Sequence, residues 1–219
     1  MPQNKLVESL QETDALDYSN DAVQAFLQKH LNRDDGQSPK EQVLSIYYAV
    51  REHLRYNPYR LEFTPEALKA SVIVNRTDGH CIDKAILMIA CCRAIGVPAR
   101  LGLAKVRNHI GTARLEKEMN TNILVPHGYV AVYLDNRWIK ATPAFNKGLC
   151  DKLGVTPLDF DGETDSLFQE YNDKGGQFME YLEDYNTFED VPLDFMLQKM
   201  QEAYPSLFAK HFKHKKIVL

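Results

Sequence analysis

The stretch DGHCIDKAILMIACCRAIGVP, residues 78–98, decides the fold. From Ile82 to Ile95 every residue is apolar except Asp83, Lys84 and Arg93. Gly96 follows the last apolar position and Pro98 stands two residues beyond, which is a common way to end a helix. A helix that is apolar on every side cannot lie on a surface and must be enclosed by the rest of its chain. The segment therefore predicts a central, buried helix that begins near Cys81, with Asp78-Gly79-His80 as the turn leading into it. A thiol at that place has chemistry open to it. The first turn of a helix carries N–H groups without partners and a partial positive charge, and both favour thiolate, the nucleophilic form. The same N–H groups can receive an oxyanion, and Gly79 lets the backbone bend and leaves room for a substrate. Taken alone, a cysteine so placed is more often a structural core residue. Cys91 and Cys92, in the apolar middle of the helix, read as core, and Cys150 carries no pattern.

Working outward, Asn20 is placed to cap a short helix that runs to about Leu31, and a polar loop follows over 32–37. Ser38, Pro39 and Glu41 then spell a capping box with proline at the first helical position. Val43, Tyr47, Val50 and Leu54 repeat at helical spacing, Asn57-Pro58 closes that run, and Thr64-Pro65 opens another short helix. Beyond the central helix, residues 99–106 read as a strand and 107–122 as a polar, irregular or helical insertion. Residues 123–134 and 137–142 are extended runs around Asp135-Asn136, which is a hairpin signal. After residue 148 the pattern weakens, with one helix marked by Leu193, Met196, Leu197 and Met200. Residues 158–190 hold eleven acidic residues, one lysine and seven aromatics. We read them as a surface layer that buries its rings and solvates its carboxylates, with an acidic rim for basic substrates as the sharper alternative. The lysines after Ala209 mark a solvated, frayed end. The expected organisation is a catalytic core with N-terminal helices over 1–147 and an extension packed on it over 148–219.

Composition narrows the class. The 26 basic and 30 acidic residues leave a net charge of −4, which offers no electrostatic footprint for nucleic acid. The longest apolar run, 85–92, is far short of a membrane span. The first twenty residues lack the apolar stretch of a signal peptide. Four cysteines in a chain of 219 residues do not form a disulfide framework, so free thiols and a cytoplasmic location are expected. Cys91 and Cys92 are adjacent rather than ligand-spaced and no H-E-x-x-H occurs, so neither metal nor cofactor is expected.

The partner a nucleophilic thiol needs is a base. His127 opens the run HGYVAVYL, and its alternation puts His127, Tyr129, Ala131 and Tyr133 on one face of a strand. A histidine there can accept the Cys81 proton, or can simply be hydrogen-bonded within the sheet. His80 and His109 are possible neighbours of the site without an assigned role.

Gly79-His80-Cys81, the apolar helix and CRAIGVPAR, residues 92–100, together resemble the transglutaminase-like superfamily, as do HGYVAVYL and Trp138 to Pro143. The resemblance covers about residues 40–147. YYAVR at 47–51 and ATPAFN at 141–146 are similar to a little-characterised bacterial group within it. It implies an α+β, papain/transglutaminase-like core in which the helix carries Cys81 at its N-terminus and packs on an antiparallel sheet carrying His127. It further implies Cys81 as nucleophile and His127 as general base in acyl transfer through a thioester. The substrate would be a peptide, a protein or a small amide, and the acceptor water or an amine. An inactive binding module on the same fold is the alternative. One departure stands out. The family usually has an aspartate where this chain has Thr142, fifteen residues beyond His127. A threonine hydroxyl can accept the Nδ1–H but adds no charge. Thr142 is the expected third member by position, with Asn146 as a neutral substitute and Asp78, Asp83, Asp135 and Asp161 left open.

Overall fold

In the computed structural model, which describes residues 3–31, 36–109, 116–117, 119–167, 178–211 and 216–218, the buried helix is α5 (Cys81–Ala94), and every side chain from Cys81 to Arg93 is buried. Among the described residues four helices precede it: α1 (Gln3–Glu8), α2 (Asp21–His30), α3 (Pro39–His53) and the single turn α4 (Ala70–Ile73). The caps read from sequence form as expected. Asn20 accepts the Ala22 N–H, and Ser38 and Glu41 exchange side-chain and main-chain hydrogen bonds. Thr64-Pro65 gives less than a helix. It makes one turn, in which Thr64 accepts the Ala67 and Leu68 N–H groups.

Against α5 lies a four-stranded antiparallel sheet in the order β6-β5-β4-β7. Its strands are β4 (Ala99–Asn108), β5 (Ile123–Leu134), β6 (Arg137–Ala141) and β7 (Met179–Phe188). Asp135 and Asn136 both take positive φ, 48° and 63°, as a two-residue hairpin loop between β5 and β6 requires. The architecture is thus α+β, with the central helix packed on the sheet. β4 runs two residues further than expected, into the proposed insertion, where 110–115 and 118 lie outside the described residues.

β7 is a correction. Its residues fall in the acid-rich segment read only as a surface layer. The strand is hard to see because its register against β4 shifts twice, between Gly102 and Ala104 and between Lys105 and Val106. Those shifts break the two-residue alternation that a strand otherwise writes into its sequence. Glu183 and Asp184 are exposed along it, which suits an edge strand that must not pair further. Residues 168–177 of the same segment lie outside the described residues, as do 32–35 of the polar loop.

The remaining elements are β1 (Arg55–Tyr56), β2 (Arg60–Glu62), β3 (Asp78–Gly79), α6 (Lys147–Leu153), α7 (Leu193–Ala203), α8 (Pro205–His211) and β8 (Lys216–Val218). β8 pairs antiparallel with β2, so part of the lysine-rich end is a strand rather than a frayed tail; 212–215 lie outside the described residues. Among the described residues no helix is long and apolar enough to cross a membrane.

Two of the three charged residues of α5 clamp it. Lys84, fully buried, donates its three hydrogens to the carbonyls of Arg51, Leu54 and Ala144 at 2.8, 2.8 and 2.7 Å. Two of those carbonyls belong to the end of α3, where a helix leaves acceptors unsatisfied. Arg93 bonds the carbonyls of Gln11, Ala99 and Glu189. Lys84→Met keeps the volume and leaves three buried acceptors unmade, so a loss of about 3–5 kcal/mol is expected. Thermal denaturation should show a fall in Tm on the order of 10 °C, against little change for the surface control Lys152→Met.

Candidate active site

Cys81 is the first residue of α5, and the chain on both sides of it is tightly held. Before it, β1 and β3 pair in parallel, setting Tyr56 opposite Gly79, and the Asn57 N–H bonds the Gly79 carbonyl at 3.0 Å. Across from it, the backbone of β5 lies directly on the first turn of the helix. A Cβ at Gly128 would stand 3.0 Å from Ile82 Cα and 3.2 Å from its nitrogen, so only glycine fits there. This approach brings the Gly128 N–H to Cys81 Sγ, at 3.4 Å. The residue next to His127 thus touches the thiol through the main chain. The imidazole itself is buried. It meets the Tyr181 ring edge-on at a centroid separation of 6.0 Å and lies near enough to His80 to feel its charge.

The electrostatics differ from the expectation for a helix N-terminus. Cys81 is only 6% exposed. Burial pushes its pKa up to about 11, against a downward pull from the Gly128 N–H. Burial, aided by repulsion from His80, lowers His127 to about 4. Desolvation disfavours every charged form, and here it outweighs the helix terminus. At neutral pH the pair is thiol and neutral imidazole, not thiolate and imidazolium.

The groups proposed to orient His127 are placed as follows. Thr142 is buried, and its hydroxyl makes no hydrogen bond among the described residues. The Asn146 side-chain oxygen accepts the Tyr56 N–H at 3.1 Å, which fixes the strand leading to the site. Asp78 is bonded by the Asn57 amide. Asp135 sits in the hairpin turn, and Asp161 closes a loop with Glu163 and Thr164.

Asp83 behaves differently. Its Oδ2 accepts the His80 ring Nδ1–H at 2.5 Å and the His80 main-chain N–H at 3.0 Å, and its Oδ1 accepts from Arg76 at 3.2 Å. Burial opposes its charge, but His80 and Arg76 hold its carboxyl below the usual range. Sequence reading gave His80 no role and left Asp83 as one acid among four. The usable signal was the three-residue spacing between them at a helix start, where the N-cap and third helical positions face each other.

Cys81 opens into a narrow cleft of about 40 Å³, whose walls include His80, Tyr56, Pro126 and Tyr204. Tyr204 follows α7. Its hydroxyl bonds both the Val125 N–H and the Ile123 carbonyl at 2.7 Å, so the C-terminal extension fixes the strand start that forms one wall. Nothing in the weak pattern after residue 148 announced this.

Residues 27–143 match the model of the transglutaminase-like superfamily. The chain belongs to that superfamily. Among solved structures, this transglutaminase-like chain is similar to a candidate cysteine protease from Cytophaga hutchinsonii. That likeness has 20% identity and a TM-score of 0.47, over 64% of this chain and 42% of the other. It is also similar to a candidate protease from Parabacteroides distasonis, with 15% identity and a TM-score of 0.36, over 58% and 25%. The chain spans less than half the length of either. No curated protein matches.

The buried imidazole has a consequence for stability. Below its ordinary value of 6.5 the unfolded chain takes up a proton that folded His127, at about 4, refuses. Its contribution is therefore complete above pH 6.5 and is lost as pH falls toward 4, about 3 kcal/mol in all. Urea denaturation across that window should show this slope in the parent and its reduction in His127→Gln.

Proposed function

We propose that the chain is a thiol-dependent acyl-transfer enzyme acting on an amide or related carbonyl, with Cys81 as nucleophile and His127 as general base and acid. The observation that carries this reading is the placement of one thiol at the start of an enclosed helix. It stands at a cleft, under the N–H of the residue that follows a buried histidine. The neutral state of the pair suits a general-base mechanism. The thiol keeps its proton until a carbonyl carbon is within reach, and a neutral imidazole is the form able to take that proton as the S–C bond forms. The N–H groups of the first turn of α5 and of Gly128 are the donors closest to the charge that then develops. The imidazolium returns the proton to the leaving nitrogen, and water or an amine resolves the thioester. The binding-module alternative draws on one observation, that the position usually carrying the family's carboxylate is a threonine whose hydroxyl bonds nothing described.

A panel of amide and thioester substrates separates the two. Cys81→Ala should abolish turnover, and His127→Asn should lower it by roughly 10²- to 10⁴-fold. Thr142→Val should stay within about threefold of the parent, since it removes no hydrogen bond of the resting site. Absence of turnover on every member of the panel, with the parent folded, would favour the binding module.

A further inference from the structure

His80 is built as more than a cap. The capping of α5 needs only the Asp83 carboxylate on the His80 main-chain N–H, which is present at 3.0 Å. The imidazole is an addition. It is 4% exposed and lines the cleft with Cys81. Its Nδ1 edge is turned to Asp83, which Arg76 holds from the other side, and Arg76 is itself anchored on the Ala67 carbonyl. A carboxylate accepts, so Nδ1 carries the hydrogen, and in the neutral ring Nε2 is a lone-pair acceptor. Among the described residues Nε2 has no partner. A buried acceptor left unmade is costly, and the ring packs edge-on against Phe63, where an apolar side chain would sit without that cost. An imidazole backed by a carboxylate, in a residue that lines a nucleophile's cleft, has the form of a base waiting for a proton.

We propose that His80 is a second catalytic residue, the general base for the acceptor that resolves the Cys81 thioester, with Asp83 and Arg76 as its positioning residues. The inference rests on the reading of Cys81 as the acylated nucleophile. In the step, Nε2 takes the proton of water or an amine as its oxygen or nitrogen bonds to the acyl carbon. The tetrahedral intermediate expels Cys81 Sγ, the S–C bond breaks, and the imidazolium returns the proton to sulfur. The products are the acid or amide and the free thiol, with nothing oxidised or reduced. His127 serves the first half of the cycle and His80 the second.

The test separates the two halves. With p-nitrophenyl acetate, release of nitrophenolate in the first turnover reports acylation, and intact-mass spectrometry reports the acyl group that remains on Cys81. His80→Gln should acylate within about threefold of the parent rate yet accumulate the acyl-enzyme, with steady turnover down by about 10²-fold. In His80→Ala, which leaves an imidazole-sized gap, added imidazole should restore the resolving step, a response that a merely structural role would not give. Equal loss of both steps, or loss of neither, would overturn the proposal. So would a failure of imidazole to rescue a folded His80→Ala. If the parent itself gains no acyl group on Cys81, the proposal falls together with the reading beneath it. A normal acyl-enzyme in the parent combined with unchanged resolution in His80→Gln would sink the proposal alone.

Discussion

A helix enclosed on every side has to give its charged residues partners within the protein, because little solvent is within reach. In α5 there are three of them, and each does a separate job. Lys84 closes the end of α3 and ties it to the chain after β6. Arg93 gathers the N-terminal segment, the start of β4 and the chain after β7. Asp83 fixes the turn before the helix and the ring of His80. These anchors hold the helix against the sheet, and the sheet in turn brings Gly128 onto the first turn. The placement of Cys81 follows from where this enclosure is left open.

Enclosure also sets the state of the site. The same burial that orders Cys81 and His127 removes water from them, so both are neutral at physiological pH. A thiol at a helix start in open solvent would be more acidic. Here the gain from the helix terminus is overtaken by desolvation.

Much of the fold was legible because its signals are local. The capping box at Ser38, the stop at Gly96 and Pro98, and the Asp135-Asn136 turn each rest on backbone chemistry a few residues long. The buried helix announced itself by having no polar face. β7 was missed because two register shifts erased its alternation. The wall formed by Tyr204 was missed because its contacts with Ile123 and Val125 span about eighty residues of sequence. Of the expected site, the thiol and the main chain beside His127 come together. The hydroxyl of Thr142 and the amide of Asn146 are not joined to them by any hydrogen bond described. Of the acids left open, Asp83 is the one bonded to a histidine ring, that of His80.

The central claim is that, of the three thiols of α5, Cys81 opens into a cleft while Cys91 and Cys92 are fully enclosed. The rates at which iodoacetamide labels the four thiols of the native protein at neutral pH test it most directly, read by peptide mass spectrometry. Cys81 should be labelled well before Cys150, and Cys91 and Cys92 should be labelled only as fast as the protein unfolds. Labelling of Cys91 or Cys92 at the rate of Cys81, in protein shown to be folded, would contradict the account.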